Sequence, residues 1–369
     1  MRTVLIYDLR TEGHHIEYLH HLYLGALKHP ENRYVFAVGS DFKDRSTDFQ
    51  WDKSDNVSFH FYENKEGNGN VIAKAWRMSQ QLKSIAKETK PDRIFLNTLM
   101  NFMPFLPFVV GKSRVSGIIY SIYLHELERM SFVGKILNKL KYNILSNNKH
   151  IEDIFILNDS ASVSKLNEIW ETDKFRFLTD PYIPFNDEDI CDVRAELGVE
   201  DGRSMILHLG SLEMRKGTLD VLDMIKRTPA IDGNKYCVVF AGRLDNEIKD
   251  SFYKTINELN TSVQVILKIG FLPYCMMGSL VKTADKVLLP YRMVSASSGI
   301  IGYCAQFKTP VYVPAKGLIG KLVEEYKIGL CLDKFNNIND LRDIVIDDCN
   351  YCESHTVDDF IDDIYSKIS

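Results

Sequence analysis

Apolar positions recur along this chain in two alternating rhythms. Short runs rich in β-branched and aromatic residues, at 4–9, 34–38, 57–61, 93–97, 118–124 and 154–157, read as strands. Stretches of helical period lie between most of them. Strands that are apolar almost throughout are those buried on both faces, so the alternation predicts an α/β fold built on parallel sheet. The rhythm pauses at 179–189, where Pro181, Pro184 and the acidic run 187–189 mark a linker. It restarts with strands at 205–209, 237–241, 263–267, 287–289 and 310–313, so a second α/β domain begins near Ala195. The division this predicts is an N-terminal Rossmann-like domain over 1–180, a C-terminal one over 190–350, and a final segment, 351–369. The amphipathic helix of that segment, from about Thr356 to Ile368, returns to the first domain. Two such domains facing each other would bind ligands in a cleft outside the carboxyl ends of their strands.

Composition narrows the function. With 369 residues, 45% of them hydrophobic, two domains can each bury a core. A formal net charge of −5 does not suit a nucleic-acid partner, which calls for a basic surface. The apolar run after Met1 is too short for a signal-peptide core, and no apolar segment approaches the roughly 20 residues of a membrane span. The expected location is therefore cytoplasmic. Seven cysteines at irregular spacings read as reduced thiols, and Cys349 and Cys352, lacking a second pair, read as structural.

Two segments carry the chemistry. His208-Leu-Gly-Ser-Leu-Glu-Met-Arg-Lys-Gly217 follows a strand and precedes the helical stretch Thr218–Arg227. It places Arg215, Lys216 and free backbone N–H groups at a helix start, an arrangement suited to a diphosphate, although a solvated basic turn would read the same way. Further on, a buried strand ends in Pro290-Tyr291 and leads into Ser295-Ala-Ser-Ser-Gly299 and a helix from near Ser298 to Phe307. One Ser suffices to cap a helix, and this loop has three with a glycine, so its amides and hydroxyls can close around phosphate oxygens.

Residues 205–333 resemble the donor-binding domain of family 4 glycosyltransferases. The likeness rests on a Gly-x-x-x-x-x-Lys-Gly turn, an apolar strand ending in Ala241-Gly242, an Ala-Asp-x-x-x-x-Pro-Tyr strand, a Ser-Gly helix start and a Gly-rich loop ahead of an Ile-Gly-Leu strand. The N-terminal half is similar more loosely, through an early Gly-His loop and a His after a central strand. The resemblance implies the two-Rossmann-domain GT-B architecture. It also implies transfer of a hexosyl unit, with retention, from a nucleoside diphosphate sugar to a hydroxyl of a glycan or lipid-linked acceptor, in surface polysaccharide or glycolipid assembly, without cofactor or metal. It casts Lys216 as the cation on the donor diphosphate and Ser297, Ser298, Gly299 and Ile300 as the helix start holding the distal phosphate. His125 becomes the catalytic histidine near the transferred sugar. Gly210, Ser211, Arg215 and Tyr303 complete the donor-binding set, and Gly13 and His14 form the loop approaching phosphate and acceptor.

The chain also departs from the family pattern. Ser211 stands where an Arg usually follows the first glycine of the turn, and Ser295 and Tyr303 stand where two glutamates eight positions apart are usual. Losing the ribose carboxylate leaves the nucleotide open, and the alternative reading is a catalytically weakened nucleotide-sugar-binding protein of the same fold. A nucleotide-sugar 2-epimerase would want a set of carboxylates in the cleft, and Ser295 and Tyr303 argue against such a set. His14, His15, His20 and His21 are not spaced as a metal site, and the acidic run 187–189 reads as solvated. The Phe-rich stretch 102–110 and the basic helix 135–149 could give peripheral contact with the inner membrane face; an ordinary surface is the preferred reading.

Overall fold

The computed structural model describes the whole chain except Glu12, Gly13, His14, Asp48, Ser121, Glu128, Arg129 and Ala296 and the side chains of Glu126 and Asp187. It divides into two compact units, Met1–Pro181 with Thr356–Ser369, and Tyr182–His355. The first holds β1 (Thr3–Asp8), β2 (Arg33–Gly39), β3 (Val57–Tyr62), β4 (Arg93–Leu96), β5 (Arg114–Ile119), β6 (Ile151–Leu157) and β7 (Phe175–Leu178). The second holds β8 (Ser204–Leu209), β9 (Tyr236–Gly242), β10 (Gln264–Ile269), β11 (Lys286–Leu288), β12 (Val311–Pro314) and β13 (Gly329–Leu332). Their orders are β3-β2-β1-β4-β5-β6-β7 and β10-β9-β8-β11-β12-β13, parallel at every pairing. Each is a doubly wound Rossmann-like sheet with its topological switch point beside its first strand, at β1/β4 and at β8/β11.

Successive side chains of a strand point to opposite faces, and here both faces are buried. In β1, Leu5 and Tyr7 join one core while Val4 and Ile6 join the other; Val35 and Ala37 of β2 oppose Tyr34, Phe36 and Val38 in the same way. The second unit repeats this, with Met205, Leu207 and Leu209 on one side and Ile206, Val238 and Phe240 on the other. That two-sided burial is what the continuous apolar runs in the sequence encode.

The last helix, Val357–Ile368, is capped by Thr356, whose Oγ accepts from Asp359 N at 3.1 Å. Its apolar stripe of Phe360, Ile361, Ile364, Tyr365 and Ile368 packs with Leu19, Leu22, Tyr23 and Ala26 of the helix His15–Lys28. Each fully buried side chain of this kind contributes about 1.5–3 kcal/mol before conformational entropy is counted. Tyr365 donates to the carbonyl of Leu22 and lies where a Cβ on Gly25 would have to be.

Two local expectations need correction. The strand expected over 118–124 ends at Ile119, because β4 stops pairing at Leu96↔Gly117 and β6 at Ile156↔Ile119, leaving no ladder to continue. The chain then turns into a short 3-10 helix, Tyr123–Glu126. The four-residue strand β7, not foreseen, forms because Phe175–Leu178 finds the free edge of β6.

Candidate donor and acceptor sites

The two chemistry-bearing segments of the C-terminal unit lie some 80 residues apart and meet because β8 and β11 are hydrogen-bonded neighbours at the switch point. The turn after β8 runs through Gly210, the short 3-10 helix Met214–Lys216 and Gly217, in the left-handed region at φ 73°, before the helix Thr218–Arg227. A Cβ on Gly217 would lie 2.1 Å from the carbonyl oxygen of Pro290, so the turn is seated directly on the chain leaving β11.

Other contacts stitch the same seam. Arg292 N and Met293 N donate to Arg215 O at 2.9 and 3.3 Å, and the Arg292 guanidinium makes a two-pronged pair with Asp220 at 2.7 and 2.6 Å. Beneath them the fully buried His208 ring lies 2.9 Å from the Leu288 carbonyl through Nδ1 and 3.0 Å from Thr218 Oγ1 through Nε2. A carbonyl can only accept, so Nδ1 carries the proton and Nε2 accepts from the threonine hydroxyl. Burial above all, helped by the nearby Lys216 charge, pushes the His208 pKa down to about 4, which keeps the ring neutral.

Lys216 is half-buried, and its Nζ has no hydrogen-bond or ion-pair partner among the described residues. It lies over the Tyr291 ring, 5.3 Å from the centroid, and 3.3 Å from the point where a Cβ on Gly210 would sit; Ile300 Cδ1 is 3.6 Å from that point. The ammonium and the first residue of the helix Ile300–Phe307 therefore flank the same glycine. Tyr291 OH bonds Ser298 Oγ at 3.1 Å, which ties Ser298, just ahead of that helix, to the chain leaving β11. The helix is capped by Gly299 without a side-chain hydrogen bond, and a Cβ on Gly299 would meet nothing within 4 Å. An ammonium without a hydrogen-bond or ion-pair partner among the described residues, beside an open helix N-terminus, supplies the charge and the hydrogen-bond donors that an anion would need.

The remaining residues singled out in the sequence fall as follows. Ser211 is exposed, and Arg215 is ion-paired with Glu213 at 2.6 Å, so its charge is met locally. Ser295 is fully buried and Ser297 half-buried. Tyr303 packs against Phe185, Tyr274 and Tyr182, with centroids 4.7, 5.9 and 6.1 Å away. Gly13 and His14 lie outside the described residues.

In the N-terminal unit, His125 stands on the 3-10 helix after β5, with Nε2 2.6 Å from Asp159 Oδ2 and 3.4 Å from Ser162 Oγ. Asp159 caps the helix Ser160–Ile169 and is almost wholly buried. Burial, the largest single influence, raises the pKa of this carboxyl, but hydrogen bonds from His125 and from the hydroxyl and amide of Ser162 together outweigh it, so the group titrates below its usual range. An ionised Asp159 makes Nε2 the donating nitrogen and leaves Nδ1 as the ring atom that can meet a ligand.

A second histidine–carboxylate pair lies at the β1/β4 switch point. Buried Asp8 accepts from Asn97 Nδ2 at 2.6 Å and Arg10 N at 3.1 Å, and sits 2.6 Å from His15 Nδ1; Tyr120 OH donates to Asn97 Oδ1 at 3.0 Å. His15, Arg10, Thr98, Asn101 and Tyr120 border a cavity of about 300 Å³. In the sequence His15 stands out only as one of four histidines not spaced as a metal site; the signal for this pair is an Asp at the end of the first strand and a His at the start of the following helix. His20, by contrast, packs among Phe49, Trp51 and Tyr23, and His21 is buried in the core.

Strand order, parallel sheets and helices together define the two-Rossmann-domain GT-B class of fold. Solved structures agree. The chain matches an α,α-trehalose-phosphate synthase (UDP-forming) from Burkholderia vietnamiensis with TM-score 0.68 at 9% identity, covering 100% of this chain and 99% of that one. It matches Anabaena Alr3699/HepE in complex with UDP-glucose with TM-score 0.65 at 14% identity, covering 100% and 95%. It matches WaaG, a glycosyltransferase involved in lipopolysaccharide biosynthesis, with TM-score 0.65 at 12% identity, covering 90% and 88%. No protein-family model and no curated protein matches the sequence, so the likeness is one of fold.

Proposed function

We propose that the chain is a retaining, metal-independent glycosyltransferase that moves a hexosyl unit from a nucleoside diphosphate sugar to a hydroxyl of a glycan or lipid-linked acceptor. The observation that carries this reading is the unpaired Lys216 ammonium beside Gly210 and the open start of the helix Ile300–Phe307. A fold can host many chemistries, so the argument rests on this site and not on the architecture.

In this reading the C-terminal unit holds the donor and the N-terminal unit the acceptor. The diphosphate lies between Lys216 and the amides of Gly299 and Ile300, with Gly210, Ser211, Ser297 and Ser298 around it. Arg215, tied to Glu213, contributes less charge than its position in the turn suggests. As the bond to the anomeric carbon breaks, negative charge gathers on the leaving diphosphate, and preorganised donors stabilise it without reorganising. The leaving phosphate oxygen takes the acceptor proton on the same face, so no side-chain base is required. His125, oriented by Asp159, hydrogen-bonds the transferred sugar. The cavity beside His15 takes the acceptor hydroxyl, and Tyr303 stands where a ribose carboxylate would otherwise be. Acceptors carried on lipid would bring the protein to the inner membrane face; among the described residues no helix is long and apolar enough to cross it.

HepE was solved with UDP-glucose, which makes that donor the first to try. The test incubates the protein with a panel of nucleotide sugars, scores nucleotide release and determines the anomeric configuration of any product by NMR. Donor-dependent release with a retained anomer is expected. Nucleotide binding without release would select the weakened binding protein, and an inverted anomer would remove the proposed same-face mechanism.

A further inference from the structure

A cavity of about 540 Å³ opens in the N-terminal unit between the end of β3 and the helix Val71–Thr89. That is within the roughly 300–1,000 Å³ of small-ligand clefts. β3 is the outermost strand of its sheet, and the residues bordering this cavity are distinct from those around His15.

Two large aromatic side chains border it with much of their surface in water, Trp76 at 49% exposure and Phe61 at 40%. Trp76 is held edge-on by Phe105, with centroids 5.1 Å apart, and Phe61 by the Lys43 ammonium 4.7 Å from its ring centre. Beside them, Gln80 is half-buried, and its amide has no hydrogen-bond partner among the described residues. The wall is also fixed in advance. Gln81 Nε2 donates to Glu63 O at 2.6 Å while its Oε1 accepts from Lys65 N at 3.1 Å. Arg77 donates to Glu66 O at 2.8 Å and Asn68 O at 2.6 Å. These clamps hold the loop 63–68 against the helix before any ligand arrives, which removes ordering cost from binding.

We propose that this groove is a binding site for a neutral oligosaccharide. A sugar ring presents an apolar C–H face and a rim of hydroxyls that both donate and accept. It is therefore matched by exposed aromatic faces beside an amide that also does both. A purely apolar ligand would leave the Gln80 amide unmet. Of the two cations bordering the cavity, Arg77 spends its donors on the carbonyls of Glu66 and Asn68, and Lys65 stands against Glu63, so no convergent pair of free cations is present among the described residues to select an anion. Its occupant differs from the donor, and the inference stands apart from the transferase reading, because binding is measured without nucleotide.

The test titrates the full chain with maltotetraose, cellotetraose and N-acetylchitotetraose, followed by calorimetry and tryptophan fluorescence. At least one probe is expected to bind with a dissociation constant of about 1 mM or tighter. Trp76→Ala and Gln80→Ala should each weaken it about tenfold while the thermal transition stays in place. Gln80→Ala keeps the test usable if loss of Trp76 disturbs packing against Phe105. No binding by any of the three probes at about 10 mM, or binding that survives both substitutions, overturns the proposal. A chain that releases nucleotide but binds none of these glycans would lose this groove and keep its proposed activity.

Discussion

Replacing Gly217 with alanine tests whether the close seating of the turn on Pro290 places Lys216. Two costs can be worked from the geometry. At φ 73° an alanine is in the left-handed region, worth about 1–2 kcal/mol against it. Its Cβ would also lie 2.1 Å from a backbone oxygen where real contacts do not fall below 3.0 Å, so the turn must retreat by the difference, 0.9 Å. Forcing a packed backbone apart by that amount costs about 1–3 kcal/mol more, which brings the total to roughly 2–5 kcal/mol. Gly202→Ala supplies the control for the dihedral alone, since its φ is 79° and an added Cβ meets nothing within 4 Å. It should lose only about 1–2 kcal/mol. Gly299→Ala, at φ −56° and equally open, should stay within about 0.5 kcal/mol of the parent. Urea titrations followed on the C-terminal unit would rank the three. A displacement near 1 Å at a positioning element costs about 10² in rate, so nucleotide release by Gly217→Ala should fall by that order. If Gly217→Ala proved no less stable than Gly202→Ala, the clash would be relieved without cost and the account of how Lys216 is placed would be wrong.

The other expectations follow from the same geometry. Lys216→Ala should lower turnover by roughly 10²–10³ and weaken nucleoside diphosphate binding, with Lys216→Arg only partly restoring either; unchanged binding in a calorimetric titration would reduce the turn to a solvated basic loop. His125→Ala should cost at least about tenfold in turnover with nucleotide affinity nearly intact, and an equal loss of affinity would refute a role on the sugar. His208, neutral in the fold with a pKa near 4 against 6.5 unfolded, contributes stability that is fully present above pH 6.5 and lost as the pH falls toward 4. Lowering from 6.5 to about 4 corresponds to about 3 kcal/mol. His208→Gln should flatten that part of the stability profile, although His355, also held near 4, keeps a similar slope of its own. A profile unchanged by His208→Gln would show that the ring is not held neutral by its burial.

Much of the turn and loop chemistry was legible because it is local. The glycines, the cations and the small-residue helix start are written within a few residues of one another, and local backbone geometry is largely decided by adjacent residues. Arg215 shows the limit even at short range: Glu213, two residues away, takes its charge, and charge pattern alone does not say which cation stays free. His125 reads in the sequence as following its strand directly, whereas the strand stops at Ile119 and His125 stands on the short 3-10 helix Tyr123–Glu126, because β5 ends where its neighbours stop pairing and its own sequence does not mark that point.

The sequence by itself determined the alternation of strands and helices, the existence of two α/β domains and the two glycine- and serine-bearing segments proposed to hold phosphate, since periodicity and turn chemistry are short-range. Only the tertiary structure decided which of those residues act together. Crossover topology sets β8 beside β11 and so brings Lys216 to Ile300, β1 beside β4 and so brings Asp8 to Asn97 and His15, and β6 next to β5 and so brings Asp159 to His125. Parallel strands are joined through helices of variable length, so residues that meet at a switch point are separated by distances along the chain that no local pattern specifies.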